Sequence, residues 1–154
     1  MQNQYEQLIQ DMADLQNKPW SSVPPKAVQR QKEKRRCTVW ERLEFLTDGQ
    51  YDIFWRNFGD DLDGASVVTA MGNIGGRTVA IYGHDFTQRA GAMDANNGKK
   101  LAGLLDYAAK IGVPVIGMND SAGAYIQAGV GGLESYAKAF RSLRLLSGRV
   151  PSMM

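Results

Sequence analysis

The sequence predicts an α/β fold in which strands form a parallel, helix-covered layer. Three observations carry that reading. Two β-rich runs, at residues 65–71 and 78–83, are joined by Asn73-Ile74-Gly75-Gly76-Arg77, a hairpin connection. Residues 94–111 then carry Leu101, Leu104, Leu105 and Ala108 at helical spacing, and Gly112 gives way to the apolar run Val113-Pro114-Val115-Ile116. Such a strand–helix–strand unit calls for parallel neighbours. Finally, the small-residue stretch at 117–129 follows that strand and precedes a second helical pattern at about 132–146, so the chain turns at a strand's C-terminal end.

The remaining elements follow in order. Tyr5, Leu8, Ile9, Met12 and Leu15 give residues 4–17 the stripe of an amphipathic helix. Residues 18–25, with three prolines, read as a linker. Thr38 and Glu41 have the spacing of a capping box ahead of the stripe Val39, Leu43, Leu46, and Asp48-Gly49 stops that helix. His84 to Ala92 reads as a loop of polar and small residues. In the helix at 132–146, Leu133, Tyr136, Ala137, Phe140 and Leu143 are expected to face inward. Two domains of unequal character result: a helical and basic segment over 1–37, and an α/β part over 38–154.

Composition bounds the partners. A chain of 154 residues, 44% hydrophobic, suits one ordinary core. The net charge of +2 implies no polyanion by itself. Lys26, Arg30, Lys32, Lys34, Arg35 and Arg36 crowd together against the single acid Glu33. They read either as a solvated helix face or as a phosphate contact for a nucleotide-bearing cofactor or nucleic acid. No aromatic interleaves them before Trp40, so base stacking is unsupported and no nucleic-acid partner is expected. Cys37 is the one cysteine and His84 the one histidine, 47 positions apart, too few for a zinc site. No apolar run approaches a membrane span and the N-terminus lacks a secretory pattern, so a cytoplasmic protein without membrane contact is expected.

The chemistry is expected at the glycine turn, Gly117-Met118-Asn119-Asp120-Ser121-Ala122-Gly123-Ala124. Small residues let a ligand approach the backbone, and unpaired amides at a helix start favour negative charge. That makes the turn a candidate oxyanion hole. Asp120 and Ser121 are expected to cap the helix that follows. Ligands of open parallel sheets sit beyond the strands' carboxyl ends, where the loops at 84–92 and 119–124 should meet.

Six segments then carry a resemblance: Val39-Trp40-Glu41-Arg42-Leu43-Glu44-Phe45-Leu46, Asp63-Gly64-Ala65-Ser66-Val67-Val68-Thr69, Asp85-Phe86-Thr87, Lys99-Lys100 with its helix, Gly112 to Ser121, and Ile126-Gln127. In order and spacing, over about residues 38–146, the chain resembles the N-terminal half of the carboxyltransferase subunits of biotin-dependent acyl-CoA carboxylases. The propionyl-CoA type, within the crotonase-like (ClpP/crotonase) superfamily, is the nearest. The resemblance implies an incomplete β-β-α spiral with N-terminal helices added. It implies an activity, transfer of a carboxyl group from carboxybiotin to a short-chain acyl-CoA through an enolate. It places the oxyanion donors at Gly123 and Ala124, and the substrate contacts at Ala122, Gln88, Arg89, Gly91 and Lys99, with Lys100 an alternative for a CoA phosphate. It implies coenzyme A as part of the substrate, and biotin carried on a partner protein, with its site not completed by this chain. The partners it implies are a biotin carboxylase or biotin carrier subunit and further copies of the carboxyltransferase subunit.

Departures from the family's pattern are Ala122 for a glycine, Tyr125 for an arginine, Ala128 for a glutamate, and Ala90-Gly91 for paired glycines. The resemblance covers only the first half of such a subunit, which predicts that residues 1–154 are a fragment, inactive alone. Two alternatives stay open: decarboxylation of a malonyl-type CoA by the biotin-dependent decarboxylase relatives, and a non-catalytic assembly fragment.

Overall fold

The computed structural model describes residues 2–21, 23–55 and 59–154. Three helices lead, α1 (Gln2–Ser21), α2 (Pro25–Glu33) and α3 (Val39–Thr47). The strands and helices β1 (Tyr51–Ile53), β2 (Val67–Ile74), β3 (Arg77–His84), α4 (Ala95–Ile111), β4 (Val115–Met118), α5 (Val130–Leu146) and β5 (Ser152–Met153) follow. The sheet has the order β1-β2-β3-β4-β5; its first three strands are antiparallel, and β4 and β5 add in parallel.

Local signals explain most boundaries. Gly75 and Gly76 both take positive φ between β2 and β3, the left-handed conformation a two-residue hairpin turn needs. Thr38 and Glu41 form the reciprocal capping box of α3, and Asp48 closes that helix in a left-handed conformation. The Asp94 side chain accepts the Asn97 amide at the start of α4, and Gly112 ends it at φ 74°.

The strand alternation sorts side chains to two cores. Val67, Ala80 and Tyr82 pack with Leu101, Leu104, Leu105 and Ala108 of α4. Val68, Ala70, Val79 and Ile81 pack with Val39 and Leu43 of α3 on the other face. Period-two alternation of a sheet covered on both faces gives this division.

Several expectations need correction. The helix α1 runs through Pro19 to Ser21 instead of ending before a linker at 18, so the break falls between Ser21 and Pro25. Its apolar stripe, Tyr5, Leu8, Ile9, Met12 and Leu15, is exposed. On α5 the expected inward set is covered only in part: Tyr136 and Leu143 are half-buried against the core, whereas Leu133 and Phe140 are 68% and 62% exposed and Ala137 is exposed. The buried face is Gly132, Ser135, Ala139, Ser142 and Leu146. The cause is close packing of α4 on α5: a Cβ on Gly98 would lie 2.4 Å from the Ser135 Cα and 2.9 Å from its carbonyl oxygen. Helices this near one another admit only small side chains, so Leu133, Ala137 and Phe140 fall on the uncovered side.

The same contact makes a prediction. Gly98→Ala gains helix propensity but drives a methyl into the α5 backbone, and overpacking of this kind costs about 1–3 kcal/mol. A thermal midpoint lower by about 5 °C is expected in a melting experiment, and an unchanged midpoint would show that the two helices are not so close.

Candidate functional site: two loops at the carboxyl edge of β3 and β4

The strands β3 and β4 run parallel, with Gly83 beside Met118, so their following loops leave from one edge. Those loops are stitched together by backbone. The Ala122 N–H donates to the Ala90 carbonyl at 2.9 Å, Met93 N–H to Gly123 O at 2.8 Å, and Tyr125 N–H to Met93 O at 2.8 Å. The last two bonds make a parallel bridge of Met93 with Ala124. In such a bridge the residue between the bonded groups turns its own N–H to the opposite side, which directs the Ala124 amide away from Met93.

This pairing corrects the expected geometry of the turn. After β4 the chain runs on without helix, with Gly123 at φ 105° and Ala124 bridged to Met93, makes one 3₁₀ turn at Ile126–Ala128, and enters α5 only at Val130. The glycine turn is therefore not a helix start, and Asp120 and Ser121 cap no helix. Asp120 instead receives Arg42 Nη2 at 3.3 Å and Arg36 Nη1 at 3.5 Å, tying the turn to α3 and to the segment after α2. Ser121 Oγ donates to the Gly91 carbonyl at 2.7 Å and accepts the Gly123 N–H at 3.0 Å.

Gly91 sits where the loops come closest. A Cβ there would meet the Asp120 carbonyl oxygen at 2.5 Å and the Ser121 Cα at 3.3 Å, and its φ is +68°, so both space and conformation require glycine. His84, 7% exposed, faces the same carbonyl, with Nδ1 2.8 Å from Gly91 O. Burial pulls its pKa below the usual value, against the Gly91 hydrogen bond and the nearby Asp120 charge. The neutral ring that results donates from Nδ1, since the carbonyl can only accept. A chain of hydrogen bonds thus runs from the Gly123 N–H through Ser121 Oγ to Gly91 O, which His84 also holds.

The other expected site residues lie around this junction in different roles. Gln88 is buried and Ala122 exposed. The Arg89 guanidinium bonds Asp63 and the Asp61 carbonyl, lies 3.5 Å from Asp94 Oδ2, and covers the Tyr125 ring at 4.6 Å. Lys99 is exposed on α4; Lys138 first, and Lys99 in smaller part, holds the Glu134 carboxyl below its usual value. Lys100 points inward, donating to the carbonyls of Gly64 at 2.9 Å and Val67 at 2.7 Å, which removes it from any phosphate. Burial brings its pKa down to about 8, with Asp94 opposing. His84, Ser121 and the Asp120 pairings escaped sequence reasoning as parts of one site, because their partners lie far off along the chain.

A separate groove of about 1060 Å³ beside α2 and α3 is lined by Val23, Val28, Trp40, Phe45 and Thr87 together with Glu41, Glu44 and Asp48. Carboxylates there would repel phosphate. Among the described residues no cluster of three His, Cys, Asp or Glu is poised to hold a metal ion, and no helix is long and apolar enough to cross a membrane.

Comparison with known proteins gives these loops a context. Residues 30–154 match the carboxyl transferase domain model. The chain belongs to that family. It is 36% identical over 156 aligned residues to the methylmalonyl-CoA decarboxylase alpha subunit of Propionigenium modestum, covering 94% of this chain and 30% of that protein. It is 40% identical over 134 residues to the propionyl-CoA carboxylase carboxyltransferase subunit of Haloferax mediterranei, covering 80% and 26%. A crystal structure of transcarboxylase 12S, with methylmalonyl-coenzyme A and methylmalonic acid bound, superimposes with a TM-score of 0.85 at 28% identity, over 96% of this chain and 31% of that one. The fold is the crotonase-like α/β fold that the resemblance implied. The chain spans less than a third of the length of these relatives.

His84 supplies a test of the site's electrostatics. Its folded pKa lies below its unfolded value near 6.5, so the unfolded chain binds the extra proton in between. Stability is therefore complete above about pH 6.5 and declines as pH falls toward the folded pKa. Urea titrations at stepped pH should show a decline across that window that is smaller in His84→Gln; parallel curves for the two proteins would show that His84 is not held neutral.

Proposed function

We propose that this chain is the acyl-CoA-binding part of a carboxyltransferase acting on a short-chain acyl-CoA of the acetyl or propionyl type. Residues 38–154 hold the acyl group in this reading, and residues 1–37 form an accessory segment. The backbone N–H groups of Gly123 and Ala124 receive the thioester carbonyl oxygen. Removing a proton beside a thioester places negative charge on that oxygen, and each well-aimed donor contributes about 10²–10³ in rate. Ala122, Gln88, Arg89 and Gly91 frame the acyl pocket, and Lys99 meets the charged end of CoA. Biotin, borne by a partner carrier or carboxylase subunit, supplies the carboxyl group; this chain is assigned the acyl-CoA side alone. Further copies of the subunit and a cytoplasmic setting, where CoA thioesters are free, complete the reading.

One observation carries most weight. The Gly123 N–H finds its acceptor in an exposed side-chain hydroxyl, Ser121 Oγ. A carbonyl oxygen can replace a hydroxyl that swings on one bond, whereas it could not displace a buried backbone partner. The Ala124 N–H, directed away from the Met93 bridge, makes the second donor.

Decarboxylation of a malonyl-type CoA is the second reading. The likeness to a methylmalonyl-CoA decarboxylase subunit over 94% of this chain favours it. Both reactions pass through the same enolate, so the acyl side is common to them. The exposed apolar face of α5 favours work within a larger assembly rather than by the chain alone.

Calorimetric titration separates the elements of this reading. Propionyl-CoA should bind the folded chain more tightly than CoA does. Ala124→Pro deletes one donor and should weaken propionyl-CoA about tenfold while leaving CoA unchanged, the worth of one hydrogen bond. A folded protein that binds neither compound contradicts the proposal.

A further inference from the structure

We propose that Arg89 and Tyr125 form a clasp that fixes the spacing of the two site loops, a positioning pair for the acyl-CoA site; this rests on the function proposed above. Arg89 belongs to the loop bearing Gly91, and Tyr125 to the segment bearing Gly123 and Ala124. The guanidinium lies 4.6 Å from the centre of the Tyr125 ring, within the range of a cation–π contact. Tyr125 is also fixed through its backbone, its N–H donating to Met93 O at 2.8 Å.

The first loop needs such a hold. Arg89 and Ala90 take φ values of 47° and 52°, followed by Gly91 at 68°. Consecutive non-glycine residues in the left-handed region persist only where their surroundings over-determine them. Three kinds of contact do so here. The Ala90 and Gly91 carbonyls are held by Ala122 N–H, Ser121 and His84. Asp63 and the Asp61 carbonyl take the guanidinium from the preceding loop, and Asp94, buried at the start of α4, lies 3.5 Å from it. The Tyr125 ring then covers its face.

These contacts also change what Arg89 does. Two carboxylates already face its cation, so little of its charge is left for an acidic substrate group. Its use lies in joining three segments: the 59–66 loop, the α4 N-terminus and the turn after β4. Loss of the ring frees the 89–91 loop to relax and alters the gap in which a thioester carbonyl would sit. Misplacements of an ångström at such sites cost up to about a hundredfold.

Variants of the full chain test the clasp, read by calorimetry with propionyl-CoA and with CoA, and by amide resonances of Gly91 and Gly123. Tyr125→Phe keeps the ring and should keep wild-type affinity. Tyr125→Leu should weaken propionyl-CoA about tenfold with CoA unaffected, and should move the Gly91 resonance while Gly75, at the far hairpin, stays put. Tyr125→Arg sets a cation over a cation and should weaken binding further. Wild-type affinity and an unmoved Gly91 resonance in Tyr125→Leu would overturn the clasp, as would Tyr125→Phe behaving like Tyr125→Leu. Should the wild type bind no propionyl-CoA, the function proposal falls, and the clasp stands or falls on the Gly91 shift alone.

Discussion

The structure depends on how closely two backbone segments pass at Gly91. A single methyl there would lie 2.5 Å from the Asp120 carbonyl oxygen. That approach lets Ala122, Met93 and Tyr125 make main-chain hydrogen bonds across the gap. Those bonds keep residues 119–125 out of a helix after β4 and direct the Ala124 N–H away from Met93. Arg36 and Arg42 on Asp120, with His84 and Ser121 on the Gly91 carbonyl, brace the junction from either side.

Much of this was legible in the sequence, and the reasons are local. The Gly75-Gly76 hairpin, the Thr38–Glu41 capping box and the left-handed Gly112 depend on a few adjacent residues. The crossover from β3 through α4 to β4 follows from the order of elements. What stayed hidden depends on distant partners. Periodicity shows that α5 is amphipathic but cannot say which side is covered; Gly98 against Ser135 decides that. The turn after β4 looks like a helix start because small residues serve both purposes. Its pairing with Met93 keeps it from starting a helix. The strands β1 and β5, three and two residues long, are too short to carry a pattern.

Family membership and partial length bear on each other. The chain matches the carboxyl transferase domain over residues 30–154 yet covers under a third of its relatives. Its apolar surface fits that circumstance. Leu133 and Phe140 on α5, with the stripe on α1, are exposed, and apolar surface of this kind is where proteins commonly meet further protein. The loops after β3 and β4, by contrast, are joined to each other by their own backbone hydrogen bonds. In the function proposed, the α/β part supplies the acyl-CoA side of a reaction site, and biotin comes from a partner subunit.

The most direct measurement records the amide resonances of Gly123 and Ala124 while the chain is titrated with two ligands, propionyl-CoA and its thioether analogue, which lacks the carbonyl oxygen. The thioester should shift both amide protons downfield, and the thioether, though bound, should shift neither. Equal responses to the two ligands, or a thioester that binds without touching these amides, would contradict this.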